Sequence, residues 1–183
     1  MGRFPEVLAA AQAGAEWGFA ALYREANPRL LRYFGSRARD EAQDLAAETW
    51  MAVARQIGRF EGNEDDFRRW LFTIAHHQLV GYWRSVGRRR DEPVPDSDMT
   101  ALAGTADPAE DVVGALSARE AVEQIASVLS PEQAEIVLLR VLGGLTVEQV
   151  AEVVGKRPGA VRVAQHRALR KLADAAFVLE VTP

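Results

Sequence analysis

A chain of 183 residues, 48% hydrophobic and 26% charged, has room for one ordinary domain or two small ones with buried cores, which excludes wholesale disorder. Its formal net charge of −4 excludes a protein that coats nucleic acid indiscriminately, so nucleic-acid contact has to come from local basic patches. The lack of cysteine excludes a disulfide framework, a thiol nucleophile and cysteine-ligated zinc.

Residues 1–14 read as a weakly specified lead-in. Pro5, Glu6, Gln12 and Glu16 interrupt its apolar stretches, so it lacks a signal-peptide core. No run approaches the roughly 18 apolar residues of a membrane span, and a cytoplasmic protein without membrane insertion is expected. From Glu16, the residues Phe19, Leu22, Tyr23 and Ala26 follow helical spacing, and Leu30, Leu31 and Phe34 continue it after Pro28 as far as Gly35. This predicts one helix with a kink, or two in series.

Asp40 with Gln43 has capping-box spacing and predicts a helix running to about Ile57, before Gly58. Its inner face is Leu45, Thr49, Ala52, Val53 and Ile57. Asp44, Glu48, Met51 and Arg55 share another side. Two carboxylates four residues apart suit an acid–base pair, a metal pair, a solvated face or a docking face; no third carboxylate or histidine stands at matching spacing to favour chemistry.

After the turn-like GRFEGNEDD, the longest periodic segment starts near Phe67 and ends in GRRR at residues 87–90. Phe67, Trp70, Leu71, Ile74, Ala75, Leu79, Tyr82, Trp83 and Val86 recur at three- and four-residue steps, with Arg68, Arg69, His76, His77 and Arg84 between them. Aromatics beside arginines suit single-stranded nucleic acid, because each base offers a stacking face and each nucleotide a phosphate. Phe67 and Trp70 read first as core, and Tyr82, Trp83 and Arg84 as contact residues. His76 and His77, adjacent on a helix, point about 100° apart and cannot readily chelate one ion together, so polar surface or nucleic-acid contact is expected of them.

Composition then changes to DEPVPDSDMTALAGTADPAED, rich in proline, small residues and acids, which predicts a flexible acidic linker over residues 91–109. Asp107-Pro108 with Glu110 predicts the start of a helix through Leu116, Ala121, Ile125 and Leu129. Ser130-Pro131 with Gln133 opens another, which Gly143-Gly144 ends. Phe177 to Pro183 form a short apolar tail.

Thr146 with Gln149 predicts a capped helix, Gly155 the positive φ of a tight turn, and Pro158 the first turn of a second helix. At about 100° per residue, Val161, Ala164, Gln165, Ala168, Leu169 and Leu172 gather on one face of that helix, while Arg162, Val163, His166, Arg167 and Arg170 fall opposite. From Lys156 to Lys171 there is no acid. This is a helix-turn-helix with a basic second helix. With no strand alternation, glycine-rich phosphate loop or nucleophile elbow, the fold class is all-α: two small helical domains, residues 15–90 and 110–176, the second a helix-turn-helix domain.

The order of these segments resembles bacterial RNA polymerase sigma factors of the extracytoplasmic-function group. DEAQDLAAETWMAVARQIGRFEG is similar to the family's core-polymerase-binding helix, FRRWLFTIAHHQLVGYWRS to its promoter-melting and minus-ten helix, and the stretch from Leu129 to Leu172 to its minus-thirty-five domain. The resemblance implies that Asp44, Leu45, Glu48 and Trp50 dock on the clamp of the polymerase largest subunit, with the flap as a second polymerase contact. It implies that the loop from Phe60 to Asp66, including Asn63, receives an unstacked minus-ten base. Trp70, His76, His77, Tyr82, Trp83 and Arg84 would serve the minus-ten and melted region. Thr146, Arg157, Arg162, Val163, His166, Arg167, Arg170 and Lys171 would meet minus-thirty-five DNA. This chain departs from the family's frequent residues at His76-His77, Gly81, Arg157, Ala164 and Gln165.

A promoter-specificity subunit without enzymatic activity or cofactor, partnered by core RNA polymerase, promoter DNA and an anti-sigma protein, is therefore expected. Two other readings compete. A stand-alone helix-turn-helix regulator with a dimerising or ligand-sensing first domain predicts palindromic sites. A helical hydrolase or metal enzyme would use Asp44, Glu48 and the histidines.

Overall fold

A computed structural model of the chain describes residues 3–91, 125 and 127–181. Among them every regular element is helical. The acidic linker predicted beyond Asp91 and the helix predicted through Leu116 and Ala121 lie outside the described residues.

The predicted lead-in is a helix, α1 (Phe4–Gln12), which buries Leu8 and Ala11. It packs closely on α2 (Glu16–Gly35) because Gly18 has no side chain; a Cβ there would stand 2.5 Å from Ala11 N. Pro28 lies inside α2, which continues through it as one helix and buries Leu22, Leu30, Tyr33 and Phe34. Proline removes one backbone donor; the core contacts on both sides of Pro28 hold the helix together.

The capping box expected of Asp40 and Gln43 does not form. Arg39–Glu41 is instead a turn of 3-10 helix, and α3 (Ala42–Gln56) follows with Glu41 at its N-cap and no side-chain cap. The predicted inner face is correct, with Leu45, Thr49, Ala52, Val53 and Ile57 all buried. A second 3-10 turn, Ile57–Arg59, leads to Phe60 and the loop before α4 (Glu64–Asp91).

Helix α4 starts three residues earlier than predicted because Asn63 caps it. Asn63 Oδ1 accepts from Asp66 N at 3.0 Å, and Asn63 N donates to Asp66 Oδ2 at 3.1 Å. Glu64, Asp65 and Asp66 in the first turn also suit the positive end of the helix dipole. Phe67, Leu71, Phe72, Ala75 and Leu79 complete the first core.

The second group comprises α5 (Pro131–Val141), α6 (Val147–Val154) and α7 (Pro158–Val181). Ser130 caps α5 in the predicted box with Gln133. Ile136, Leu138, Leu139, Leu145, Val150 and Val161 fill its core. Helix α7 continues through most of the stretch predicted to be a tail.

Arg69 Nη1 of α4 stands 3.8 Å from Glu152 of α6, and a second contact between the two groups is a buried carboxylate. Glu135 of α5, 6% exposed, accepts a hydrogen bond from the Tyr33 hydroxyl, and His76 Nδ1 lies 2.8 Å from the same oxygen. Arg37 Nε is 3.5 Å from Glu135 Oε2, which accepts no hydrogen bond, so Arg37 offsets the charge rather than saturating that oxygen. Arg37 also donates through Nη1 to the Pro131 carbonyl at 2.5 Å. A buried carboxylate is tolerated only when paired, and here every partner comes from the other helical group.

Candidate polymerase and nucleic-acid interfaces

The helix-turn-helix forms as its local signals predict. The Thr146 hydroxyl accepts from Gln149 N at 3.2 Å, and the Gln149 side chain accepts from Thr146 N at 2.8 Å. Gly155 is left-handed, with φ +66° and ψ 35°, and lets Lys156 N bond back to the Ala151 carbonyl at 2.9 Å. The chain can then turn into Pro158 at the start of α7.

On α7, Val161 and Ala168 are buried and Ala164, Gln165 and Leu172 half-buried, while Arg162, Val163, His166, Arg167, Arg170 and Lys171 are exposed. Leu169 departs from its predicted inward place and is 50% exposed. Arg157 and the first turn from Pro158 to Ala160 are also open to solvent. Acids on neighbouring helices restrain part of this basic surface: Arg162 pairs with Glu148, and Lys156 Nζ with Glu132 at 2.9 Å. Lys171 Nζ reaches Gln133 at 3.1 Å.

On α4, His77, Trp83 and Arg84 are exposed, and Trp83 packs its edge on the half-buried Tyr82 with ring centres 5.1 Å apart. Tyr82 turns toward α3 and lines its groove. His76 corrects the expectation of polar surface or nucleic-acid contact, because its side chain is only 15% exposed and lies against Glu135. Asn63 is exposed, but its side-chain oxygen is committed to the α4 cap. Phe60 and Trp70 stack with ring centres 5.0 Å apart at 27°, both half-buried. They border a cleft of about 410 Å³ that Arg59, Glu61, Arg69 and Thr73 also line.

On α3, Asp44 and Glu48 are exposed as expected and, with Glu41, line a groove of about 340 Å³ whose far wall is Gln78, Gly81, Tyr82 and Ser85 of α4. Leu45 and Trp50, expected beside those acids on the docking face, are 5% and 4% exposed; Leu45 lines the floor of the groove, whereas Trp50 faces α2. Trp50 packs on Phe19 and Tyr23 at 5.6 and 5.2 Å, and its indole donates to Asn27 Oδ1 at 3.1 Å. Those partners sit on α2, so α3 is buried over a wider arc than its apolar stripe indicates.

Among the described residues no group of three or more histidines, cysteines and acids is placed to hold a metal ion. Nor is any helix there long and apolar enough to cross a membrane. Sequence reasoning missed Glu135 and its partners Tyr33 and Arg37. The one local signal was an acid between Ala134 and Ile136, inside a run that is buried from Ala134 to Leu139.

An acidic groove and an aromatic, basic helix in one unit, followed by a helix-turn-helix in the next, fit a promoter-recognition subunit of RNA polymerase. Residues 22–89 match the sigma-70 region 2 family and residues 119–172 the sigma-70 region 4 family. The chain belongs to the extracytoplasmic-function (ECF) group of RNA polymerase sigma factors. It is 35% identical over 173 residues to the ECF RNA polymerase sigma factor BldN of Streptomyces coelicolor, covering 93% of this chain and 65% of that protein. To the ECF RNA polymerase sigma factor SigD of Mycobacterium tuberculosis it is 32% identical over 178 residues, covering 94% and 83%. Its fold is similar to that of RpoE in complex with the anti-sigma factor NepR from Bartonella quintana (TM-score 0.63, 23% identity, 90% and 98% covered). It is also similar to that of CnrH in complex with the cytosolic domain of CnrY (TM-score 0.57, 19% identity, 96% and 97% covered). Membership of this group does not favour a stand-alone regulator.

Proposed function

We propose that this chain, acting in the cytoplasm without a catalytic site or cofactor of its own, brings core RNA polymerase to a specific set of promoters. The polymerase supplies the chemistry. One observation carries the residue-level reading: in α3 the exposed acids and the buried apolar residues are cleanly separated, as are the exposed basic residues and the buried face in α7.

Asp44 and Glu48, with Glu41 beside them, present negative charge at a groove and suit the clamp of the polymerase largest subunit; the flap would be reached by the second domain. Leu45 and Trp50 support that face from beneath. Arg167, Arg170 and Lys171 supply phosphate contacts, which fix position, while Arg162, Val163 and His166, nearer the start of α7, read base edges in the minus-thirty-five major groove. Arg157 and Thr146, exposed at the two helix starts, flank the same surface. His77, Trp83 and Arg84 line the melted strand, and the loop from Phe60 to Asp66 receives an unstacked base beside Trp70. The domain limits proposed are residues 15–90 and 110–176.

A separate anti-sigma protein would silence the chain by covering the α3 acids or the basic face of α7. The RpoE structure, which holds the anti-sigma factor NepR, supports that reading by likeness of fold. Run-off transcription with core polymerase on a promoter library tests the function. Transcripts that depend on the added chain are expected; no polymerase binding and no added transcripts would overturn it.

A further inference from the structure

The amino-terminal helix does more than extend the core. Gln12, the last residue of α1, donates from Nε2 to the Ile57 carbonyl at 3.0 Å and to the Phe60 carbonyl at 2.7 Å. Both hydrogens of its amide are thereby used, each on a backbone 45 or more positions away. Phe60 N itself donates to the Ile57 carbonyl at 3.0 Å, so Gln12 clasps the two ends of the 3-10 turn Ile57–Arg59.

Gln12 is exposed, and nothing about burial requires it to make these bonds. What they fix is the backbone of Phe60, held extended at φ −73° and ψ 131°, and with it the stack of Phe60 on Trp70. That stack forms the aromatic wall of the cleft carrying Arg59 and Arg69. The clasp is anchored at its other end too, since α1 is seated on α2 by the Gly18 contact and Phe4 meets Phe67 at 5.8 Å.

We propose that Gln12 is a positioning residue for the base-receiving loop, and that α1 therefore belongs to the promoter-reading unit. Gln12 touches no nucleotide; it holds Phe60 so that the loop meets an unstacked base already shaped, with little ordering left to do on binding. This rests on the reading that the loop from Phe60 to Asp66 receives such a base.

The test uses holoenzyme assembled from core RNA polymerase and the full chain. The probe is fork-junction DNA whose non-template single strand carries about ten randomised nucleotides, about the span one such site tracks. Sequencing the bound fraction gives base preference at each position. Gln12→Met keeps side-chain length and removes both donors; Phe60→Ala removes the aromatic wall. With Gln12→Met, preference is expected to fall about threefold to tenfold at one position. That position is the one Phe60→Ala flattens, while the other positions, core binding and melting temperature stay as in the parent. An unchanged profile, or a uniform loss at every position, overturns the assignment, because a merely structural role would not select one position. If Phe60→Ala flattens a position and Gln12→Met does not, only the role of Gln12 falls. If Phe60→Ala leaves the profile intact, the base-receiving loop falls and the role of Gln12 with it.

Discussion

His76 Nδ1 and Glu135 Oε1 stand 2.8 Å apart although 59 positions separate them, and the Tyr33 hydroxyl donates to the same oxygen. Glu135 is thus one point at which the helix-turn-helix unit is fastened to the first four helices, beside the Arg69–Glu152 pair at 3.8 Å. Removing one partner of a buried charge is costly, but here the cost can be relieved by separation of the two units, after which water solvates Tyr33 and Arg37. Glu135→Ala is expected to shift the packing equilibrium by about 1–3 kcal/mol toward an extended chain. Small-angle scattering should report a larger radius of gyration with each unit still helical. Glu132→Ala, which breaks the exposed pair with Lys156, should change it little. Equal compactness of the Glu135→Ala chain and its parent would refute the fastening role.

The same contact predicts an alkaline limit. Burial first, and the neighbouring Glu135 carboxylate second, hold the Tyr33 phenol well above its ordinary value near 10. A raised pKa in the folded state means that the contribution to stability is complete below the unfolded value and is lost as pH rises through the folded one. Thermal stability measured across roughly pH 8 to 11 should therefore decline from about pH 10 upward. Tyr33→Phe should flatten that decline. At neutral pH the same substitution should be destabilising by about 1 kcal/mol, because Glu135 loses a donor.

Docking on polymerase and folding are expected to separate along α3. Asp44→Asn combined with Glu48→Gln removes two exposed charges and should leave the melting temperature within a few degrees of the parent while weakening polymerase binding about tenfold or more. Trp50→Ala should cost about 3–5 kcal/mol of stability, since a tryptophan 4% exposed is lost from a site closed by Phe19 and Tyr23. Circular dichroism melts beside a polymerase pull-down distinguish the two. A stable Trp50→Ala chain that fails to bind polymerase would restore Trp50 to the docking face.

Where a signal is local, the sequence carried the structure. Thr146 with Gln149, Ser130 with Gln133, and Gly155 each act within one turn, and each forms as its residues predict. Asp40 with Gln43 has the same spacing and fails, because the chain enters α3 through a 3-10 turn and leaves Glu41 at the cap. Asn63 with Asp66 supplied the cap that was overlooked. Exposure was less legible than element type. A helical wheel for α3 does not contain α2, whose Phe19, Tyr23 and Asn27 cover Trp50. His76 looked like surface for the same reason, since Glu135 reaches it from a helix more than fifty residues away. The nine-residue α1 is too short for periodicity to show, and the bonds of Gln12 to Ile57 and Phe60 leave no mark on local sequence.

Basic residues of α7 should separate by what they contact on DNA. Arg167 is exposed beside His166, and a phosphate contact from it would release counterions without reading sequence. Arg167→Ala is then expected to weaken holoenzyme binding about equally on good and poor minus-thirty-five sequences and to lower the salt slope of log K by about one. Arg162 stands nearer the start of α7 and is held by Glu148, which fixes its direction before DNA arrives. Arg162→Ala should cost about 1–3 kcal/mol on the preferred sequence and less on altered ones, relaxing specificity at one or two base pairs. Glu148→Gln, which keeps the length but removes the ion pair, should give a smaller loss of the same kind. Binding titrations at several salt concentrations, on one preferred and several substituted duplexes, read both effects. A uniform loss for Arg162→Ala, or a sequence-dependent loss for Arg167→Ala, would exchange the two roles.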